Sequence, residues 1–188
     1  MHECGIVMLT DRSRQRVRRE IARLDDQFSV ERVVEDEWRV SPERYERTVE
    51  RFEAGTLGGA GAWVARENGA VLLVRREGYD AWQEPSGKHE PDETLAETAR
   101  RETREETGVK CELRTVELAQ QLEIVDDTDP DRPALVRLVV VFGAAYAGGT
   151  PCPRPGEIAA VDWFDKHPDV LLYQALAKLP VPAPWGRT

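Results

Sequence analysis

The stretch from Gly87 to Val109, GKHEPDETLAETARRETREETGV, constrains this chain more than any other. It reads as a helix with both ends specified. Thr94 precedes an apolar-periodic run and Glu97 follows three residues later, the reciprocal capping arrangement. Gly108 closes the run, where helices commonly end on a left-handed residue. The helix between them spans about fourteen residues, an ordinary length. At ~100° per residue, Leu95, Ala96, Ala99 and Thr103 fall in one sector that should pack inward. Glu97, Arg100 and Arg104 face solvent. Glu102 and Glu106 lie inside the inward sector, and Glu105 lies at its edge. Carboxylates on an apolar face are costly unless something pairs with them, and three spaced i, i+3 and i+4 repel one another. A divalent cation removes both penalties, because Mg²⁺ and Mn²⁺ favour hard oxygen ligands. The placement therefore points to a metal site on this helix and not to a solvated acidic face.

Written as a spacing, the stretch is Gly87-x5-Glu93-x7-Arg101-Glu102-Thr103-x-Glu105-Glu106-x-Gly108-Val109. It resembles the box of the Nudix hydrolase superfamily, with all seven fixed letters present. There are two departures. Thr103 stands where the family usually has an aliphatic residue, and Pro85-Ser86-Gly87 stands where it usually has Pro-Gly-Gly. The resemblance implies Mg²⁺-dependent (or Mn²⁺-dependent) hydrolysis of a pyrophosphate bond. The substrate would be a nucleotide sugar, an ADP-ribose-like compound, a dinucleoside polyphosphate or a nucleoside triphosphate. It assigns the metal to Glu102, Glu105, Glu106 and the Gly87 carbonyl, and makes Glu93 and Arg101 an ion pair that orients those glutamates. The base is Glu102, Glu105 or a residue of a later loop. Glu157, in a Gly/Pro-rich loop before Val161–Phe164, is the candidate there, with Glu123 the weaker alternative. Arg75 and Arg76 at a strand end, and Lys88 beside Gly87, are expected to meet phosphates; Trp82 or Tyr79 could stack a base. His89 has no second histidine or cysteine near it and is not expected to bind metal. Downstream positions that would mark an ADP-ribose or dinucleoside polyphosphate hydrolase hold Ile124, Val125, Asp126 and Asp127, so the substrate stays open. Two other readings are a nucleotide sensor without turnover, which usually loses box glutamates, and an isomerase, for which Cys111 follows the box too closely.

The rest of the chain suits an α/β/α sandwich with a mixed β-sheet. A Gly-rich lead-in, Leu57–Gly61, enters a strand at Ala62–Arg66, and Asn68-Gly69 signals a hairpin into Ala70–Arg75. Further strands are expected within Val109–Val125, at Leu135–Phe142 and at Val161–Phe164, with a loop at Asp126–Pro133. A closing helix is expected at Pro168–Leu179. The resemblance implies that residues 58–188 form a Nudix domain. Residues 1–57 form a mainly helical extension: a strand at Gly5–Leu9, then helices carrying Val17, Ile21, Leu24 and Phe28, and Tyr45, Val49 and Phe52 after Ser41-Pro42. Each helix has one apolar stripe that must pack on the core, on its neighbour or on a second subunit, so a homodimer is one expectation.

Composition narrows the partners. The formal charge is −9 and the chain has only four lysines, so no nucleic-acid-wrapping surface is expected. The acidic, lysine-poor balance fits either a high-salt cytosol or a GC-rich genome. Cys4, Cys111 and Cys152 form no CxxC pair, no apolar run reaches membrane-span length, and the N-terminus lacks a signal-peptide layout. A cytoplasmic setting is expected.

Overall fold

The computed structural model describes the backbone of residues 3–186 and the side chains of residues 9–185. In chain order the elements are α1 (Glu3–Phe28), β1 (Val33–Val40), α2 (Pro42–Glu53), β2 (Gly58–Ala65), β3 (Val71–Arg76), β4 (Trp82–Gln83), β5 (Ser86–Lys88), α3 (Leu95–Thr107), β6 (Cys111–Asp126), β7 (Leu135–Tyr146) and β8 (Ile158–Phe164). Short 3₁₀ turns follow at Gln174–Lys178 and Pro184–Gly186. One eight-stranded mixed sheet runs β1-β6-β7-β2-β3-β4, with β5 antiparallel to β2 and β8 antiparallel to β3. The β1–β6 and β2–β7 pairs are parallel. The sandwich expected from the sequence is the observed architecture.

Strand alternation on β7 divides the two faces. Val136, Leu138, Val140 and Phe142 join the core formed with α1 and α3, through Val17, Leu24, Leu95, Ala96 and Ala99. Leu135 packs with Tyr45 and Phe52 of α2, and Val141 packs with Leu176 and Leu179 of the C-terminal segment. Helix α1 is also pinned by polar contacts: Thr10 Oγ1 donates to Ala134 O (2.8 Å), and Val136 N donates to Ser13 Oγ (3.0 Å).

Three expectations need correction. Gly5–Leu9 is not a strand but part of α1. The closing helix at 168–179 shrinks to a single 3₁₀ turn, because the backbone before it is already engaged. Trp82 N donates to Val170 O (3.0 Å), Leu172 N donates to Trp82 O (2.9 Å), and Pro180 follows. The strand β1 was not expected at all. Its sequence, VVEDEWRV, carries four charges and lies on the sheet edge, where one face is solvated.

The expected apolar stripes of both N-terminal helices are packed on the sheet. Deleting residues 1–54 would uncover both regions and unpair β6 along eight residues. The truncated protein should aggregate during refolding; a monomeric variant with the wild-type melting temperature would contradict this.

Candidate functional site

Helix α3 forms as its capping residues dictate. Thr94 Oγ1 accepts from Glu97 N (3.2 Å) while Thr94 N donates to Glu97 Oε2 (2.7 Å). Gly108 ends the helix at φ 71°, a conformation glycine adopts without strain. Thr103, the departure from the aliphatic pattern, is fully buried, and its hydroxyl donates to Ala99 O (2.7 Å). The polar atom is thus satisfied within the helix and the position still packs.

The inward placement of the glutamates is observed. Glu106 is completely buried and Glu102 nearly so, at 8% exposure, while Glu105 is open to solvent. Both buried side chains reach the Ser86–Gly87 turn. Ser86 N donates to Glu106 Oε2 at 2.9 Å, and a methyl group on Gly87 would collide with the Glu102 carboxylate. Glycine is needed at 87 for that close approach, not for an unusual φ. The turn in turn lies against bare backbone of β2, where a methyl on Gly61 would sit 2.7 Å from Pro85 O. This explains the Gly-rich lead-in. Gly87→Ala should displace Glu102 and lower turnover by about tenfold or more with the fold retained; unchanged steady-state kinetics would contradict the packing.

Arginines hold the carboxylates. Arg76, at the end of β3, forms a close ion pair with Glu106 and bonds Glu157 Oε1 (2.9 Å) and Ser86 O (2.8 Å). Arg101 bonds Glu93 (2.7 Å) and Glu102 (2.7 Å), and the first is the pairing the family resemblance implied. Arg154 bridges Glu105 and Glu157, at 3.3 Å each. Burial nevertheless pushes the Glu106 carboxyl up to about 8 against the opposing pull of Arg76. Burial also raises Glu102, with Arg101 opposing. Hydrogen bonding from Arg101 lowers Glu93.

Several of these groups edge a cavity of about 710 Å³; Glu106, fully buried behind them, and Glu93 do not. Gly87, Lys88, Glu102, Glu105, Glu157 and Arg76 all line it. Arg75 and Trp82 do not: Arg75 donates to Tyr79 O (3.3 Å), and Trp82 packs edge-on against Phe164, 4.7 Å between ring centres. Glu123 pairs with Arg14 away from the cavity (3.2 Å). Cys111 is half-buried, and burial pushes its thiol up to about 11. Three residues went unnoticed in the sequence. Arg154 is one. Arg137 is another, and its signal was available as the one charge in the apolar run LVRLVVVF. The third is Glu84, only 3% exposed, whose Oε2 has no hydrogen-bond partner and whose carboxyl is pushed up to about 7 by burial.

The donor set suits a hard divalent cation. Four carboxylates meet three guanidinium groups, and two of the carboxylates press on the carbonyl-bearing turn at Gly87. Among the described residues no three acidic, histidine or cysteine side chains already converge on one point. Arg76 and Arg101 take the Glu106 and Glu102 oxygens instead.

Residues 55–176 match the NUDIX domain family model, and the chain belongs to that family. It is 35% identical over 95 residues to the NAD-capped RNA hydrolase NudC of Deinococcus radiodurans, covering 50% of this chain and 30% of the relative. It is 51% identical over 49 residues to an RNA pyrophosphohydrolase of Halorhodospira halophila, covering 26% and 27% respectively. The chain thus spans about a third of the length of these curated relatives. Among solved structures, a NUDIX hydrolase from Nitrosomonas europaea is 27% identical with a TM-score of 0.47, covering 58% of this chain and 57% of that one. No helix among the described residues is long and apolar enough to cross a membrane.

Proposed function

We propose that the protein is a divalent-cation-dependent pyrophosphohydrolase acting on a nucleoside diphosphate derivative. The observation that carries this reading is the convergence of Glu102 and Glu106 from one face of α3 on the Ser86–Gly87 turn, with Glu105 and Glu157 on the same cavity. Family membership and the names of the two RNA-hydrolysing relatives support the reaction class.

Glu102, Glu105, Glu106 and the Gly87 carbonyl would hold Mg²⁺ or Mn²⁺, which neutralises phosphate charge and makes water a better nucleophile. Arg76, Lys88 and Arg154 line the cavity with positive charge for the phosphate oxygens. Glu157 is held by Arg76 and Arg154 at the cavity wall. It accepts a proton as the water oxygen bonds to phosphorus; the bridging oxygen departs with the electron pair of the broken P–O bond. Glu93 and Arg101 position Glu102 and do not touch the substrate. The reading places the enzyme in a reducing cytoplasm, which the unpaired Cys111 and Cys152 support.

A turnover screen that resolves the nucleotide products by chromatography tests it. Nucleotide sugars, ADP-ribose, dinucleoside polyphosphates and nucleoside triphosphates would be offered with Mg²⁺ or Mn²⁺, at low and molar KCl. Turnover of one class, abolished by EDTA, is the expected result. Silence across the panel with metal bound would favour a sensing role.

A further inference from the structure

Beside the cavity, between α2 and the sheet, lies a recess of about 300 Å³. Five cations line it: Arg44, Arg47, Arg51, Lys88 and Arg137; no aspartate or glutamate does. Among the described residues none of the five has a carboxylate within the 4.0 Å that defines an ion pair, although arginines elsewhere in the chain pair repeatedly. In a chain of net charge −9 such a cluster is unexpected.

The cluster is built by helical spacing. Arg44, Arg47 and Arg51 stand at i, i+3 and i+7 on α2 and share a sector of about 60°, while Glu46 and Glu53 fall on the opposite side and Glu43 and Glu50 flank it. Arg51 is fixed, donating to the carbonyls of Thr56, Gly58 and His89. Arg137 projects from the interior of β7, on the face that also carries Val139 and Val141. Its buried Nε has no hydrogen-bond partner. Burial, then the charges of Arg51 and Arg44, lower its guanidinium to about 10. A solvated basic face does not account for a guanidinium so placed, because a half-buried charge without a counter-ion is costly.

The recess adjoins the cavity. Trp38, Arg44, Lys88 and Arg137 line both. A methyl on Gly59 would lie 2.8 Å from Gly87 O and 3.2 Å from Arg137 Nη2, so Arg137 begins where the carboxylate site ends. Trp38 already carries Arg44 over its ring, at 5.5 Å.

We propose that this recess is a second anion site, which seats a phosphate of the substrate other than the two joined in the bond that is cleaved. The assignment rests on the reading that the cavity takes the pyrophosphate. It narrows the substrate to compounds with a further phosphate, either in a polyphosphate chain or as the phosphodiester that follows a 5′-terminal nucleotide. Nucleotide sugars and ADP-ribose leave the recess empty.

The test uses the variant Arg47→Gln, whose exposed side chain lines the recess but not the cavity and whose replacement leaves the fold intact. Calorimetry in EDTA with inorganic tripolyphosphate should show binding to the wild type, weakened at least about tenfold in the variant. With Mg²⁺, kcat/KM for a dinucleoside tetraphosphate should fall by a similar factor while that for ADP-ribose holds. Equal changes for both compounds, or none, with unaltered tripolyphosphate binding, would overturn the proposal and leave the hydrolase reading standing. Arginine-dependent tripolyphosphate binding without turnover of any compound would keep the anion site but overturn the hydrolase reading and, with it, the substrate role given to the recess. A 5′-triphosphorylated dinucleotide set against a nucleoside tetraphosphate identifies the source. An arginine-dependent gain with the tetraphosphate assigns the recess to chain phosphates, and a gain confined to the dinucleotide assigns it to the phosphodiester.

Discussion

Glu106→Gln is expected to remove at least about a hundredfold of the metal-dependent turnover while the protein stays folded. The carboxylate is fully buried and reaches the Ser86–Gly87 turn. Replacing it with an amide of the same shape deletes one ligand charge, and a catalytic metal supplies several kcal/mol of transition-state stabilisation, each ~1.4 kcal/mol being a factor of ten. The fold should survive, because burial already pushes this carboxyl up to about 8 and the neutral amide is cheaper to bury than the anion. Arg76 loses one partner but keeps Glu157 and Ser86 O. Steady-state rates and circular dichroism, measured together, check both halves. A near wild-type rate would remove Glu106 from the metal site.

Glu84→Gln should change stability more than activity, and in a pH-dependent way. The side chain is 3% exposed, and its carboxyl is pushed from the ordinary value of 4.5 up to about 7 by burial. Below pH ~4.5 the group is protonated in folded and unfolded chains alike. Between pH ~4.5 and ~7 the unfolded chain has released a proton that the folded chain keeps, so the folded state loses stability as pH rises through that window. The full loss is roughly 3 kcal/mol, at ~1.36 kcal/mol per pKa unit. The glutamine variant lacks this loss. Chemical denaturation in EDTA at pH 5 and pH 8 should show the variant gaining on the wild type between the two. A constant difference at both pH values would mean that Glu84 is charged in the fold.

Helix α3 was legible in the sequence because its information is local. Thr94, Glu97 and Gly108 set its ends, and 3.6-residue periodicity set its faces, so the burial of Glu102 and Glu106 could be read off before any tertiary contact was known. The Arg101–Glu93 pair was visible only through the family resemblance. What failed depended on distant partners. β1 is a charged edge strand whose existence rests on β6, some eighty residues away. The expected C-terminal helix lost to hydrogen bonds with Trp82. Arg75 and Arg76 looked equivalent at a strand end, yet alternation sends Arg76 to the glutamates and Arg75 to Tyr79 O. Glu84 and Arg137 were overlooked for a related reason. Arg137 is one charge in an apolar run and Glu84 one charge in a short polar loop, and only the fold shows that both line the same cavity.

A divalent-cation site on α3 is tested most directly by Mn²⁺ titration followed by electron paramagnetic resonance. Wild-type protein should remove free Mn²⁺ signal with saturable stoichiometry. Glu102→Gln and Glu106→Gln, shown to be folded by circular dichroism, should weaken that binding by at least about tenfold. Identical binding curves for all three proteins would contradict the assignment of the α3 carboxylates to the metal.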